Sequence, residues 1–75
     1  MRKLLNSVYV TTEGAALSKD GENLVAFVEG EEKARVPLHM LASLVVFGPI
    51  SVSPALIGAC ASAGIAIVLL DRNGR

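Results

Sequence analysis

The first half of the chain alternates short apolar runs with glycine-containing turns. Residues 3–12 (KLLNSVYVTT) are rich in β-branched and aromatic types, which predicts a first strand. Two further apolar runs flank the pair Asp20-Gly21, which is typical of tight hairpins, and they predict strands at residues 16–19 and 23–28. This half of the chain is therefore expected to form a meander of antiparallel strands.

The middle of the chain predicts two more strands. A turn at residues 29–33 leads into KARVPL, where Pro37 has no amide hydrogen to donate, so this strand should be short or lie at a sheet edge. A loose turn is expected around His39 and Met40. The apolar residues 44–47 then predict a buried strand.

A single helix is predicted between residues 53 and 64. The hydroxyl of Ser53 can accept a hydrogen bond from an otherwise unpaired amide, Pro54 suits the first helical position, and Gly64 can adopt the left-handed conformation that ends a helix. One side of the helix should face the sheet, and it carries Leu56, Ile57 and Cys60. The opposite side is small and uncharged, so another backbone could approach it closely; it carries Ala55, Gly58, Ala59 and Ser62.

The last apolar run ends in a turn signal. IAIVLL at residues 65–70 predicts a strand, and DRNG at residues 71–74 predicts a hairpin turn, because Asn-Gly tolerates the positive φ angles of such turns. Asp71 has two interpretations here. A carboxylate at the end of a buried strand can bind a metal or a ribose, but it also opens turns by accepting backbone hydrogen bonds, and Asn73-Gly74 behind it favours the turn.

These elements indicate an α+β, mostly β fold: a small antiparallel β-hairpin sheet domain with one short helix, with residues 1–75 as a single domain. A chain of 75 residues buries only about 60% of the surface that it exposes when unfolded. Yet 52% of the residues are hydrophobic and the mean hydropathy is +0.54, more apolar material than so small a globule can cover. Part of the surface should therefore meet a partner.

Charge and cysteine content restrict the class of protein. Seven basic and seven acidic residues cancel, so the basic surface of a self-sufficient nucleic-acid binder is missing. The single Cys60 cannot form an internal disulfide and no secretory signal pattern is present, so a cytoplasmic location is expected. No charged residue lies between Val36 and Leu70, which raises the alternative of a small membrane protein. The helix signals at Ser53 and Gly64 favour the folded domain over a membrane span.

Recognised patterns of catalytic chemistry are absent. The sequence has no phosphate-binding glycine loop, no paired-cysteine motif and no metalloprotease motif. His39 has no positioned partner and Cys60 has no group nearby to stabilise a thiolate, so both are expected to be structural. The acidic residues Glu29, Glu31 and Glu32 are expected at a solvated hairpin tip. We therefore assign no catalytic, cofactor-binding or metal residue, and an independent interaction module without chemistry is an alternative function.

One ordered series of motifs resembles a known family. The segment RVPLHMLASLVVFGPISVSPALIGACASAGIAIVLLDRNGR contains V-P-L, V-x-F-G, S-P-A-L and G-I-x-I-x-x-L-D-x-x-G-R in the order and spacing of the N-terminal region of the CRISPR-associated integrase. That protein is the metal-dependent nuclease of the spacer-acquisition complex. LLNSVYVTTEGAALSKDGENLVAF is similar to the opening hairpins of the family, most closely the variants that accompany I-C (Dvulg-type) systems. The resemblance covers the whole chain.

The resemblance implies a division of labour. A β-rich N-terminal domain forms a homodimer, and a larger helical C-terminal domain, absent from this chain, carries the residues that hold a divalent metal, magnesium or manganese. The whole protein would be a DNA endonuclease that inserts spacers into CRISPR arrays in antiviral defence, with DNA and a second subunit of the complex as partners and no membrane. His39 lies in VPLHML and is not the family's metal-binding histidine. The 75-residue chain alone is expected to be inactive.

The resemblance also offers an explanation for the turn signal at the end of the chain. A return strand is expected in residues that the chain lacks, so the strand at residues 65–70 would have an unpaired edge able to recruit another chain. A Val68→Pro substitution is expected to weaken this association more than it weakens soluble expression. The basic residues available for phosphate contacts lie near the termini: Arg2, Lys3, Arg72 and Arg75.

Overall fold

A computed structural model of the chain describes residues 2–4 and 6–71. These residues form mostly strands, with one α-helix and one turn of 3-10 helix, which confirms the α+β, mostly β class. The elements in chain order are β1 (Arg2–Leu4), β2 (Ser7–Val10), β3 (Ala16–Asp20), β4 (Asn23–Val28), β5 (Glu31–Pro37), the 3-10 turn (Leu38–Met40), β6 (Ser43–Phe47), β7 (Ser51–Val52), α1 (Pro54–Ala63) and β8 (Ala66–Leu70).

The first sheet has the strand order β1-β2-β6-β8. β1 and β2 pair antiparallel, with Arg2 opposite Tyr9, so the chain reverses direction between Leu4 and Ser7. The prediction of one strand over residues 3–12 is therefore wrong. An apolar run does not by itself show where a chain turns back; the local signal was Asn6, a residue type that favours turns and lies in this one.

Parallel pairing holds the rest of this sheet together. Val8 lies opposite Leu44 in the β2–β6 pair, and Leu44 lies opposite Ile67 in the β6–β8 pair. Parallel neighbours cannot be joined by a tight hairpin and need a longer crossover, which β7 and α1 supply between β6 and β8. The sheets are therefore mixed, and hairpin signals in the sequence revealed only the antiparallel pairs β3–β4 and β4–β5.

The second sheet has the strand order β5-β4-β3-β7. The hairpin predicted at Asp20-Gly21 joins β3 to β4, with Asp20 opposite Asn23. The next hairpin turns at Glu29 and Gly30, both with positive φ, and β5 therefore begins two residues earlier than the KARVPL segment. β5 is an outer strand that ends at Pro37, which confirms the edge position expected from this proline.

The core lies between the two sheets and under α1. Both sheets and the helix contribute buried side chains, the largest of them being Leu17, Leu24, Leu44, Leu56, Val8, Val10, Val46 and Cys60. The strand predicted as buried at residues 44–47 is buried on one face only. Leu44 and Val46 point into the core, whereas Val45 and Phe47 are half-buried, because successive side chains of a strand point to opposite faces.

The predicted helix limits are confirmed. The Leu56 amide donates to Ser53 Oγ at 3.2 Å, Pro54 is the first helical residue, and Gly64 ends α1 with φ +73°. Leu56 and Cys60 face the core as expected, but Ile57 is 47% exposed, so its predicted place on the buried side is wrong. No helix in residues 2–4 and 6–71 is long and apolar enough to cross a membrane.

Gly58 within α1 and Gly64 at its C-terminal cap should respond oppositely to replacement by alanine. A Cβ built on Gly58 meets nothing within 4 Å, so Gly58→Ala should raise the free energy of unfolding by about 1 kcal/mol through helix propensity. Gly64 has an equally open site but a φ of +73°, so Gly64→Ala should lower that free energy by about 1 kcal/mol. Urea unfolding of the two variants measures the contrast. Equal effects of the same sign would contradict the cap geometry.

Candidate association surface

β8 is an outer strand with an apolar sequence. Among the described residues it pairs with β6 alone, through the register Ala66↔Ser43 to Leu70↔Phe47. Its residues AIVLL include no charge and no proline, and Val68 and Leu69 are 40% and 67% exposed. An apolar edge strand of this kind can pair with another strand through its outer backbone groups. The sequence had predicted this edge at residues 65–70.

Two hydrogen bonds fix which backbone groups of β8 point outward. The Ala66 amide donates to the Ala42 carbonyl at 3.1 Å, and the Leu70 carbonyl accepts from the Gly48 amide at 2.9 Å. In a parallel ladder the residues that bond to a given neighbour alternate, so Val68 also directs its amide and carbonyl toward β6. Ile67 and Leu69 therefore direct theirs toward the outer side of the sheet.

The end of α1 lies beside the first residue of β8. α1 contacts β8, and the Ile65 amide donates to the Cys60 carbonyl at 2.9 Å, so the end of the helix lies beside the start of the strand. Ile57 of α1 and Leu69 of β8 are both exposed.

The outer face of the first sheet is also largely apolar. Tyr9, Val45 and Val68 lie opposite one another across β2, β6 and β8, and the first two are half-buried. On the same face, Ser7 Oγ and Ser43 Oγ share a hydrogen bond of 2.6 Å. The two hydroxyls are hydrogen-bonded to each other, so neither serine adds an unpaired polar group to this face.

β5, one of the two outer strands of the second sheet, carries charged side chains instead. Arg35 donates hydrogen bonds to Asp20 and to Glu32 across the surface of β5, each at 2.9 Å from Nη2. The hydrogen bond from Arg35 holds the pKa of the Glu32 carboxyl below its usual range, and the same bond raises the pKa of the Arg35 guanidinium. Val25 lies opposite Arg35 and is fully buried, consistent with cover by the arginine stem.

The predicted acidic hairpin tip is confirmed as a solvated region. Glu29, Glu31 and Glu32 are all exposed, and Glu29 lies in the turn itself. Lys33 Nζ pairs with Glu31 at 2.9 Å, so the charges on this strand are largely neutralised in pairs. Exposed pairs of this kind contribute about 0–1 kcal/mol each, so their main effect is to keep the strand edge polar.

The remaining titratable candidates do not assemble into a reactive site. His39 is exposed at the rim of a shallow groove that Lys19, Glu22 and the small helix residues Ala59 and Ser62 also line. No group of three or more His, Cys, Asp or Glu within residues 2–4 and 6–71 is placed to hold a metal ion. The described residues therefore do not fit the divalent metal that the family resemblance implies.

Cys60 and Asp71 complete the list of candidates from the sequence. Burial raises the pKa of the Cys60 thiol, which keeps it in the unreactive protonated form at neutral pH. Asp71 is exposed directly after β8. The rest of the turn predicted at residues 71–74, and the side chains of Arg2, Lys3, Arg72 and Arg75, lie outside the described part of the chain.

The described residues form a small two-sheet β domain with an apolar outer strand, β8. Residues 8–75 match the family model "CRISPR associated protein Cas1", and the chain belongs to this family. All 75 residues align with "CRISPR-associated endonuclease Cas1 2" of Rhodospirillum rubrum at 69% identity. The resemblance inferred from the motif series is thereby confirmed.

Solved structures show the same fold. A chain of a "Partial Cas6-RT-Cas1--Cas2 complex" matches 89% of this chain with a TM-score of 0.84 at 16% identity, over 20% of its own length. A chain of a "TtCas1-DNA complex" matches 89% with a TM-score of 0.69 at 15% identity, over 26% of its length. This chain spans 22% of the length of the Rhodospirillum rubrum relative.

Proposed function

We propose that this chain is the N-terminal dimerisation domain of a metal-dependent DNA endonuclease that inserts spacers into CRISPR arrays in antiviral defence. The family match over residues 8–75 carries the proposal. The 69% identical relative is named an endonuclease, and this chain corresponds to 22% of it, which supports a role as one domain of a larger enzyme.

A second domain would supply the chemistry. The family resemblance assigns the divalent metal, magnesium or manganese, and its ligands to a helical C-terminal domain, and the described residues form no alternative metal site. Within this division of labour, residues 1–75 contribute assembly and no catalytic residue. The apolar edge of β8 and the uncharged side of α1 support that role, because they offer surface for another protein rather than for a substrate.

Three partners follow from the same proposal. A second copy of the chain forms the homodimer. A Cas2-type subunit and DNA meet the complete protein, as the names of the two complexes with similar folds suggest. The assembly works in the cytoplasm, where its DNA target is found.

A chimaera tests the proposal. This chain replaces the matching segment of the Rhodospirillum rubrum relative, and metal-dependent integration of a short DNA duplex into a CRISPR array is measured. At 69% identity over every residue, the core should be preserved, and the chimaera should integrate DNA at the level of the parent enzyme. The parent protein lacking the segment is the control and should lose both dimerisation and integration. A folded chimaera without integration would contradict the proposal and favour an independent interaction module.

A further inference from the structure

β5 contains one extra residue relative to its partner strand β4. Ala26 of β4 lies opposite Ala34. The next residue of β4, Phe27, lies opposite Glu32, so Lys33 is left without an opposite residue in β4. This arrangement is a β-bulge, which changes the face to which the preceding residues point, because side chains otherwise alternate strictly along a strand.

The bulge places the charged side chains of β5 on two different faces. Glu32 and Arg35 are three residues apart and would point to opposite faces of a regular strand. In the bulged strand they share the outer face of the second sheet, where Arg35 donates to Glu32 from Nη2 at 2.9 Å and from Nε at 3.2 Å. Lys33 turns toward the core side instead, where it lines the rim of an apolar groove with Val28 and pairs with Glu31 at 2.9 Å.

The turn residues do not account for this register. The hairpin turns at Glu29 and Gly30, with φ of +53° and +80°. Two-residue turns with two positive φ angles favour Asn, Asp or Gly at the first position, and a positive φ is uncommon for other residue types. Without the bulge the same hairpin would have a three-residue loop at 29–31, which is the next most common kind. The turn alone therefore leaves both registers accessible.

We propose that the two ion pairs of β5 hold the bulged register, and that the β4–β5 hairpin is a two-register element controlled by charge. In the bulge-free register Phe27 lies opposite Lys33, which brings Lys33 onto the outer face beside Arg35. Glu32 then lies opposite Val28, at the rim of the apolar groove. Both ion pairs are lost, since each joins side chains that this register separates. The inference is independent of the proposed assembly function.

The change of register alters the charge at the groove. The bulged register places the positive side chain of Lys33 at the rim, and the bulge-free register replaces it with the carboxyl of Glu32. The hydrogen bond from Arg35 lowers the pKa of Glu32, while the charge of Asp20 acts in the opposite direction. The Arg35 bond therefore stabilises the bulged register fully at neutral pH, and this stabilisation is lost as the pH falls through the lowered pKa.

Charge reversal at Lys33 tests the proposal. In Lys33→Glu the bulged register holds the new carboxylate beside Glu31, whereas the bulge-free register pairs it with Arg35. The lost pair, the repulsion and the new pair are each worth up to about fivefold for exposed charges, so the ratio of bulge-free to bulged hairpin should rise by about a hundredfold. Nuclear Overhauser contacts measure the register, since Phe27 meets residue 32 in one register and residue 33 in the other. The double variant Glu31→Lys, Lys33→Glu restores the pair and should return Phe27 to residue 32.

Glu32→Gln keeps the shape of the side chain and decides the matter if Lys33→Glu does not fold. It removes the charge that Arg35 binds, so saturation-transfer NMR should detect the bulge-free hairpin as a minor state. Glu22→Gln is the matched control, an exposed carboxyl in the turn between β3 and β4, and should leave the register unchanged. Contacts of Phe27 to residue 32 alone in Lys33→Glu would overturn the proposal. The absence of a minor state in Glu32→Gln, or the same minor state in the control, would overturn it as well.

Discussion

Leu44→Ala is expected to lower the free energy of unfolding by about 3 kcal/mol, the middle of the range for buried leucine truncations. Leu44 is fully buried in β6, between Val8 of β2 and Ile67 of β8. Truncating the Leu44 side chain leaves a cavity at the centre of the first sheet, because the paired strands on either side hold the neighbouring side chains in place. A 75-residue domain has a total stability of only about 4–11 kcal/mol, so the effect should be large.

Leu69→Ala is the matched control for this truncation, since the same atoms are removed from a side chain that is 67% exposed. Leu69→Ala should lower the free energy of unfolding of the monomer by less than about 0.5 kcal/mol. Urea unfolding at one fixed, low protein concentration measures both variants, because association would otherwise add to the apparent stability. Equal reductions of the free energy of unfolding in the two variants would contradict the exposed position of Leu69.

Leu69→Pro is expected to keep the fold, in contrast to proline one residue earlier. The Leu69 amide points to the outer side of the first sheet, so proline at this position removes no hydrogen bond to β6. Proline is tolerated on an edge strand where its missing amide faces away from the sheet. Circular dichroism and urea unfolding of the variant measure whether the fold is kept.

Val68→Pro provides the opposite case, one residue away. The Val68 amide points to β6, so proline at this position removes a bond within the first sheet and should reduce soluble, folded protein. The substitution first expected from the sequence to separate association from expression is therefore unsuited to that purpose, because it also disturbs the first sheet. If Leu69→Pro also unfolded the chain, the assigned backbone directions would be wrong.

Much of the fold could be predicted because its signals are local. Ser53, Pro54 and Gly64 set the limits of α1 through contacts within a single turn, and the Asp20-Gly21 pair joins strands whose ends are two residues apart. The position of β5 at an edge followed from the missing amide hydrogen of Pro37. Each of these depends on the chemistry of one or two residues and needs no knowledge of distant neighbours.

The sequence predictions were wrong where contacts between residues far apart in the chain decide the outcome. Ile57 and Leu56 are adjacent apolar residues of one helix, and only the placement of α1 across both sheets decides that Leu56 is buried and Ile57 exposed. The run at residues 3–12 has strand character throughout, yet it divides into two paired strands. Similarly, the parallel neighbours of β6 come from opposite ends of the chain.

By itself, the sequence determined the β-rich class, the limits of the helix, the family and the presence of an uncharged last strand. Only the tertiary structure decided that β8 pairs in parallel with β6, and that Ile67 and Leu69 turn their backbone groups outward while Val68 turns its own to β6. The physical reason is that residue type sets local conformation and hydrophobicity, whereas the direction of a backbone hydrogen bond depends on which strand lies alongside.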